Sequence, residues 1–137
     1  MFKCTAVTPE RIIFEKDVKS VIAPGFLGYL GILTDHAPLI TPLVPGKLEL
    51  KDSTGGEFTF FLSGGFLEVS GNVCTILADA IEKPSDIDVA RAQAAEKRAR
   101  DRLKNRNSPD LDVERAEAAL QRALWRQKIS SARASSQ

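Results

Sequence analysis

Apolar residues recur with a period of about 2 as far as Ile81 and with a period of about 3.6 beyond Asp88. The short joint from Ile81 to Asp88 separates the two regimes. Before it the chain reads as strands. Phe2, Cys4 and Ala6 alternate with Lys3, Thr5 and Val7, and Ile12-Ile13-Phe14 and Val18 to Ile22 are two further runs. Leu48 and Leu50 alternate with charged neighbours, Phe58, Phe60 and Leu62 with Glu57 and Thr59, and Phe66 to Val69 and Val73 to Ala78 follow. Thr8-Pro9-Glu10, Pro24-Gly25, Gly55-Gly56, Ser63-Gly64-Gly65 and Gly71-Asn72 supply the turns. Pro38, Pro42 and Pro45 confine their segment to edges and corners, because proline donates no ladder hydrogen bond. About ten short strands at this spacing predict a sandwich or flattened barrel. Gly28-Tyr29-Leu30-Gly31 is expected to be a turn tip presenting Tyr29 and Leu30.

Past the joint there is no glycine. Ser85-x-x-Asp88 has the look of a capping box, which predicts a helix from about Asp86 to about Lys104. Asn105-Arg106-Asn107-Ser108-Pro109 stops it, and Pro109 or Asp110 restarts a helix reaching about Lys128. Ser130 to Gln137 is expected to fray. The predicted class is α+β, with a β-sandwich over residues 1–84 and an antiparallel two-helix hairpin over residues 85–137.

The two helices repeat each other at an offset of 24 residues: Asp86 matches Asp110, Asp88 matches Asp112, Val89 matches Val113 and Arg91 matches Arg115. Each carries a narrow apolar seam, Val89, Ala92, Ala99 and Leu103 in one and Val113, Ala116, Leu120 and Ala123 in the other, with Glu96 interrupting the first. A buried methyl contributes only about 0.8 kcal/mol, whereas ordering a residue's backbone costs roughly 1–2 kcal/mol. The hairpin should therefore hold together weakly and open easily. Beside the seam, Arg91 and Arg98 share one helix face, as do Arg122 and Arg126. Guanidinium groups bind phosphate oxygens in pairs, although such a stripe is also what a solvated helix presents.

Charge divides as the pattern does. Residues 1–87 hold 7 Lys/Arg against 11 Asp/Glu, and residues 88–137 hold 12 against 7. The helical part suits an anionic partner. Its acids are interspersed with its bases and Trp125 is its one aromatic residue, which argues against nucleic acid. No apolar run approaches the ~20 residues of a membrane span, and the start lacks a signal-peptide layout. Cys4 and Cys74 lie inside apolar strands and read as reduced, buried residues, the other reading being a metal or redox pair. With one histidine in the chain, a closed zinc site is not expected. Asp35-His36 has no nucleophile in a recognisable context beside it and reads as a turn, so no catalytic residue is assigned.

Several stretches resemble the ε subunits of F-type ATP synthases: Gly28-Tyr29-Leu30-Gly31-Ile32-Leu33, His36-Ala37-Pro38-Leu39, Pro45-Gly46, Leu62 to Val69 and Val73 to Asp79. Ile87-Asp88-x-x-Arg91-Ala92 resembles the I/L-D-x-x-R-A motif with which bacterial members bind ATP. The resemblance implies a ten-stranded β-sandwich seated on the γ subunit, with Gly28, Tyr29, Leu30 and Gly31 touching the ring of c subunits. Family members commonly carry a polar or acidic side chain where this chain has Tyr29. It also implies a hairpin that rests folded or extends toward the α and β subunits, where it blocks ATP hydrolysis. Matched residue by residue, the nucleotide set is Glu82, Ile87, Asp88, Arg91, Ala92, Arg98, Arg122 and Arg126. No Walker A loop is present, so ATP is expected as a regulatory ligand without hydrolysis, with no cofactor or metal required. The alternative keeps those arginines for acidic residues of the catalytic head. Peripheral placement on the cytoplasmic face of a bacterial membrane follows from the same likeness.

Overall fold

A computed structural model describes residues 1–105 and 107–135. Arg106, within the predicted stop, and Ser136-Gln137, within the predicted fraying end, lie outside the described residues. The chain divides into two compact units, Met1–Lys83 and Pro84–Gln137.

The first unit holds nine strands: β1 (Phe2–Val7), β2 (Ile12–Gly25), β3 (Gly28–Leu33), β4 (Leu39–Leu43), β5 (Gly46–Asp52), β6 (Glu57–Leu62), β7 (Gly65–Ser70), β8 (Val73–Ala78) and β9 (Ile81–Glu82). The count falls below ten because Ile12-Ile13-Phe14 and Val18 to Ile22 are one strand. Glu15, Lys16 and Asp17 interrupt the apolar pattern, yet each pairs with β1, and Glu15 forms a 3.1 Å ion pair with Lys3 on the neighbouring strand. β2 then does the work of two strands. Its first half lies against β1, and its second half, past a bulge between Val18 and Ser20, pairs with β3 and β5.

Pairing runs β1-β8-β7-β4-β2 and returns to β1, which closes the strands into a circuit around the core. β1 and β8 are parallel, and the other ladders are antiparallel. Alternation sends Cys4, Val21, Ile32, Leu48, Leu67 and Ile76 inward, all fully buried. The Phe14 and Phe60 rings stack at 5.1 Å beside them.

The second unit begins with a 3-10 turn (Pro84–Asp86), followed by α1 (Val89–Leu103) and α2 (Val113–Ser135). Both helices start about three residues later than the sequence predicts. Asp88 has extended backbone geometry (φ −82°, ψ 98°), which stops the preceding turn from running into α1. Asp88 itself is therefore the cap, in place of the box expected from Ser85. α2 also runs past Lys128 to Ser135.

Candidate functional site

The two helix starts are built alike. Asp88 Oδ1 accepts a 3.0 Å hydrogen bond from the Arg91 backbone N–H, and Asp112 Oδ1 accepts one of 3.0 Å from the Arg115 N–H. In each, the backbone N–H four residues on closes the first turn, Ala92 to the Asp88 carbonyl and Ala116 to the Asp112 carbonyl. A carboxylate here satisfies an orphan donor and complements the positive end of the helix. Ile87 and Ala92 are buried beside the first cap, while Asp88 and Arg91 are exposed. The signature Ile87-Asp88-x-x-Arg91-Ala92 thus recurs in sequence and geometry at Leu111-Asp112-x-x-Arg115-Ala116.

Along the hairpin, Ala92 and Ala99 of α1 and Ala116, Ala123 and Ile129 of α2 are buried. Leu103, Val113 and Leu120 are half-buried, and Val89 is 38% exposed, so the seam is narrower than the sequence drew it. Glu96 is no mere interruption. It accepts 2.7 Å from Arg100 Nε on its own helix and 2.8 Å from Gln127 Nε2 on α2. That crossing sets the antiparallel register, which brings Arg98 to the level of Trp125 and Arg126 and leaves Arg91 facing the far end of α2. Arg91 and Arg98 are exposed; Arg122 and Arg126 are half-buried. Glu82 lies in β9, opposite Phe61 of β6, in the other unit. A groove of ≈ 430 Å³ follows α1, lined by Gln93, Glu96, Lys97, Arg100, Asp101 and Lys104. Its lining includes none of the residues matched to nucleotide, and Glu96 and Asp101 already engage Arg100 (2.7 Å) and Lys104 (3.6 Å).

On the β unit, the tip of the β2–β3 hairpin is Phe26-Leu27, not the expected Tyr29-Leu30. Gly25 pairs with Gly28, leaving two residues in the loop. A Cβ at Gly25 would meet Leu30 and the Gly28 carbonyl, and Gly28 has φ +129°, so the hairpin closes earlier than glycine spacing suggests. Tyr29 and Leu30 lie in β3. Leu30 packs against the core, and the Tyr29 hydroxyl accepts a 3.2 Å hydrogen bond from the Lys47 N–H. Leu27 is left 88% exposed at the tip.

A second surface had no signal in the periodicity. Pro42, Phe66, Leu77 and Val7 are consecutive partners across β4, β7, β8 and β1, and Ile40 stands two residues from Pro42 on the same face. Phe66 is 56% and Ile40 73% exposed, far more than strand residues of this size need be. Apolar residues on both faces of β4, β7 and β8 were the available clue. Asp35 and His36 are turn residues, as read. Asp35 has φ 62° and its N–H donates to Asn72 Oδ1 at 3.0 Å, and His36 Nδ1 lies 2.6 Å from the Ala37 carbonyl. Among the described residues no helix is long and apolar enough to cross a membrane.

Residues 1–84 match the family model for the beta-sandwich domain of the ATP synthase delta/epsilon chain, and residues 85–131 match that for its long alpha-helix domain. The chain is 50% identical over 97 residues to the ATP synthase epsilon chain of Pelotomaculum thermopropionicum, covering 71% of this chain and 72% of that one. It is 52% identical over 104 residues to the epsilon chain of Carboxydothermus hydrogenoformans, covering 76% and 77%. A chain in the Euglena gracilis mitochondrial ATP synthase structure (OSCP/F1/c-ring) superposes with TM-score 0.75 at 25% identity, covering 88% of this chain and 76% of that one. A chain of the Tetrahymena thermophila central stalk and c-ring has the same fold at TM-score 0.66 and 17% identity, over 93% and 95%.

Proposed function

The chain belongs to the ATP synthase delta/epsilon family, as an epsilon-type, non-catalytic subunit of the central stalk, and from that premise we propose that its two units divide coupling from control. The β unit rides the rotor. Its exposed row of Ile40, Pro42, Phe66 and Leu77 suits the γ subunit, since apolar area left on a closed sheet is stabilised by a partner. The β2–β3 hairpin, with Gly28, Tyr29, Leu30 and Gly31 behind the Phe26-Leu27 tip, faces the c-ring. The subunit sits peripherally on the cytoplasmic face of a bacterial membrane.

The helical unit is a mobile inhibitor of ATP hydrolysis. Folded, it leaves the catalytic head free; extended, it reaches the α and β subunits. One observation carries this reading: among the described residues, four of the five buried side chains of the two helices are alanines, Ala92, Ala99, Ala116 and Ala123, with Ile129 the fifth. So little area keeps the closing free energy within reach of a ligand. ATP bound to Glu82, Ile87, Asp88, Arg91, Ala92, Arg98, Arg122 and Arg126 at a hundred times its Kd would add about 2.7 kcal/mol to the folded form, which is enough to bias a two-state element.

Calorimetric titration of ATP into the chain, with Trp125 emission recorded alongside, tests the sensor. Heat and a spectral shift that are both lost in Arg122→Ala and Arg126→Ala are expected; no heat at millimolar ATP overturns it. The twin caps favour a second reading in which the hairpin binds no nucleotide and its arginines meet acids of the catalytic head. Asp88 has a structural task, identical to that of Asp112, that calls for no ligand.

A further inference from the structure

We infer that Cys4 and Cys74 form an oxidisable thiol pair whose product is a disulfide joining β1 to β8. The two residues are direct partners in the parallel β1–β8 ladder. Facing residues of adjacent strands stand about 4.8 Å apart, inside the range of Cα separations that a disulfide spans. Both side chains point to the core, both are fully buried, and both are free thiols. Their neighbours along the two strands, Phe2, Ala6 and Ile76, are apolar, and Lys16, opposite Cys4 on β2, carries its ammonium over the Phe58 ring at 4.2 Å.

The neighbouring Cys74 thiol and burial push the Cys4 thiol far up, while the same close pairing lowers Cys74, which is the easier of the two to ionise. Cys74 is therefore the attacking group. With a small dialkyl disulfide as oxidant, the Cys74 thiolate attacks one sulfur of the reagent, forms a mixed disulfide and expels one thiolate. Cys4 then gives its proton to that thiolate, and its sulfur displaces the second reagent thiolate from Cys74. Two electrons and two protons pass to the reagent, which leaves as two thiols.

Burial sets the rate. β1 is flanked on both sides, by β2 and β8, so the reagent reaches the pair only when the first strand lifts away. The finished bond would then hold the two strands that close the circuit. A reducing compartment keeps the pair as thiols; oxidative stress, or folding in an oxidising medium, joins them.

The test uses the full chain and hydroxyethyl disulfide. After long incubation near the unfolding midpoint and return to native buffer, intact mass is expected to fall by two hydrogens. Thiols accessible to iodoacetamide in denaturant are expected to drop from two per chain to none, and dithiothreitol to restore both. Cys4→Ser and Cys74→Ser are each expected to stop at the mixed disulfide, with a gain in mass. Two thiols still alkylated, a stable adduct on each cysteine, or disulfide-linked dimers in place of the internal bond would overturn the inference.

Discussion

The Gln127 side-chain amide reaches across the hairpin to donate a 2.8 Å hydrogen bond to Glu96, whose other oxygen takes Arg100 Nε at 2.7 Å. Arg100, and after it Gln127, hold the Glu96 carboxyl below the usual carboxylate range. A carboxylate lowered in the folded state stabilises that state above its unfolded value, and the stabilisation is lost as pH falls through the folded value. The Arg100 contact lies within α1 and survives opening, so only the Gln127 share belongs to closure. Closure should be intact at neutral pH and weaken below about pH 4.3, seen as a change in Trp125 emission on acid titration. Glu96→Gln should flatten that change; an unaltered acid profile would show that the crossing bond contributes nothing.

The matched caps allow a paired experiment. Asp88→Ala and Asp112→Ala should each lower helix stability by about 1 kcal/mol, and Asp→Asn at either position by much less. Thermal melts followed at a helical wavelength check both. ATP titration then separates the two caps. If nucleotide touches Asp88, binding heat falls in Asp88→Ala and stays in Asp112→Ala. Equal heats in both variants would leave each carboxylate a cap and nothing more.

Among the glycines of the β unit, Gly65 is the one where an added side chain would come closest to a neighbouring backbone. Its φ is +150°, and a Cβ there would fall on the Leu77 carbonyl oxygen of the neighbouring strand. Gly65→Ala is expected to cost roughly 1–3 kcal/mol in backbone strain, and about as much again in forcing β7 from β8. Gly71→Ala, with φ +55° and nothing within 4 Å, should cost only about 1–2 kcal/mol. Urea midpoints of the two variants give the comparison, and equal shifts would refute the steric argument.

The apolar row on β4, β7 and β8 separates folding from assembly. Phe66→Glu leaves the core untouched, since Phe66 points away from it, and should move the unfolding free energy by no more than about 0.5 kcal/mol. Retention by the γ subunit on co-purification should be lost. Unimpaired retention would remove this face from the proposed interface.

The period change at the joint and the alternation of Phe2, Cys4 and Ala6 made the two units and most strands legible, because both report which side of an element meets the core. Tertiary pairing was less legible. Glu15 to Asp17 looked like a break and proved to be mid-strand: Glu15 meets Lys3 in an exposed ion pair, and Lys16, opposite buried Cys4, lays its ammonium over the Phe58 ring. Gly28 to Gly31 looked like a tip; close packing at Gly25 moved the turn three residues earlier. The arginines, exposed or half-buried along two helices, could be chosen from resemblance alone, because no spacing rule ties a residue of α1 to one of α2. Glu96 was noticed as a flaw in the seam, and its partner 31 positions on has no local signature.

The parallel seam between β1 and β8 bears on how the molecule is made. Lys3 meets Val73, so the opening strand waits on the ribosome for a neighbour that emerges seventy residues later. Until then it is a half-satisfied ribbon, and closing so distant a contact is the slow kind of step. The hairpin contains only nearby contacts and can form as soon as it appears, in microseconds. β8 leaves the ribosome before either helix, so the slow closure can begin while the fast-folding hairpin is still being made.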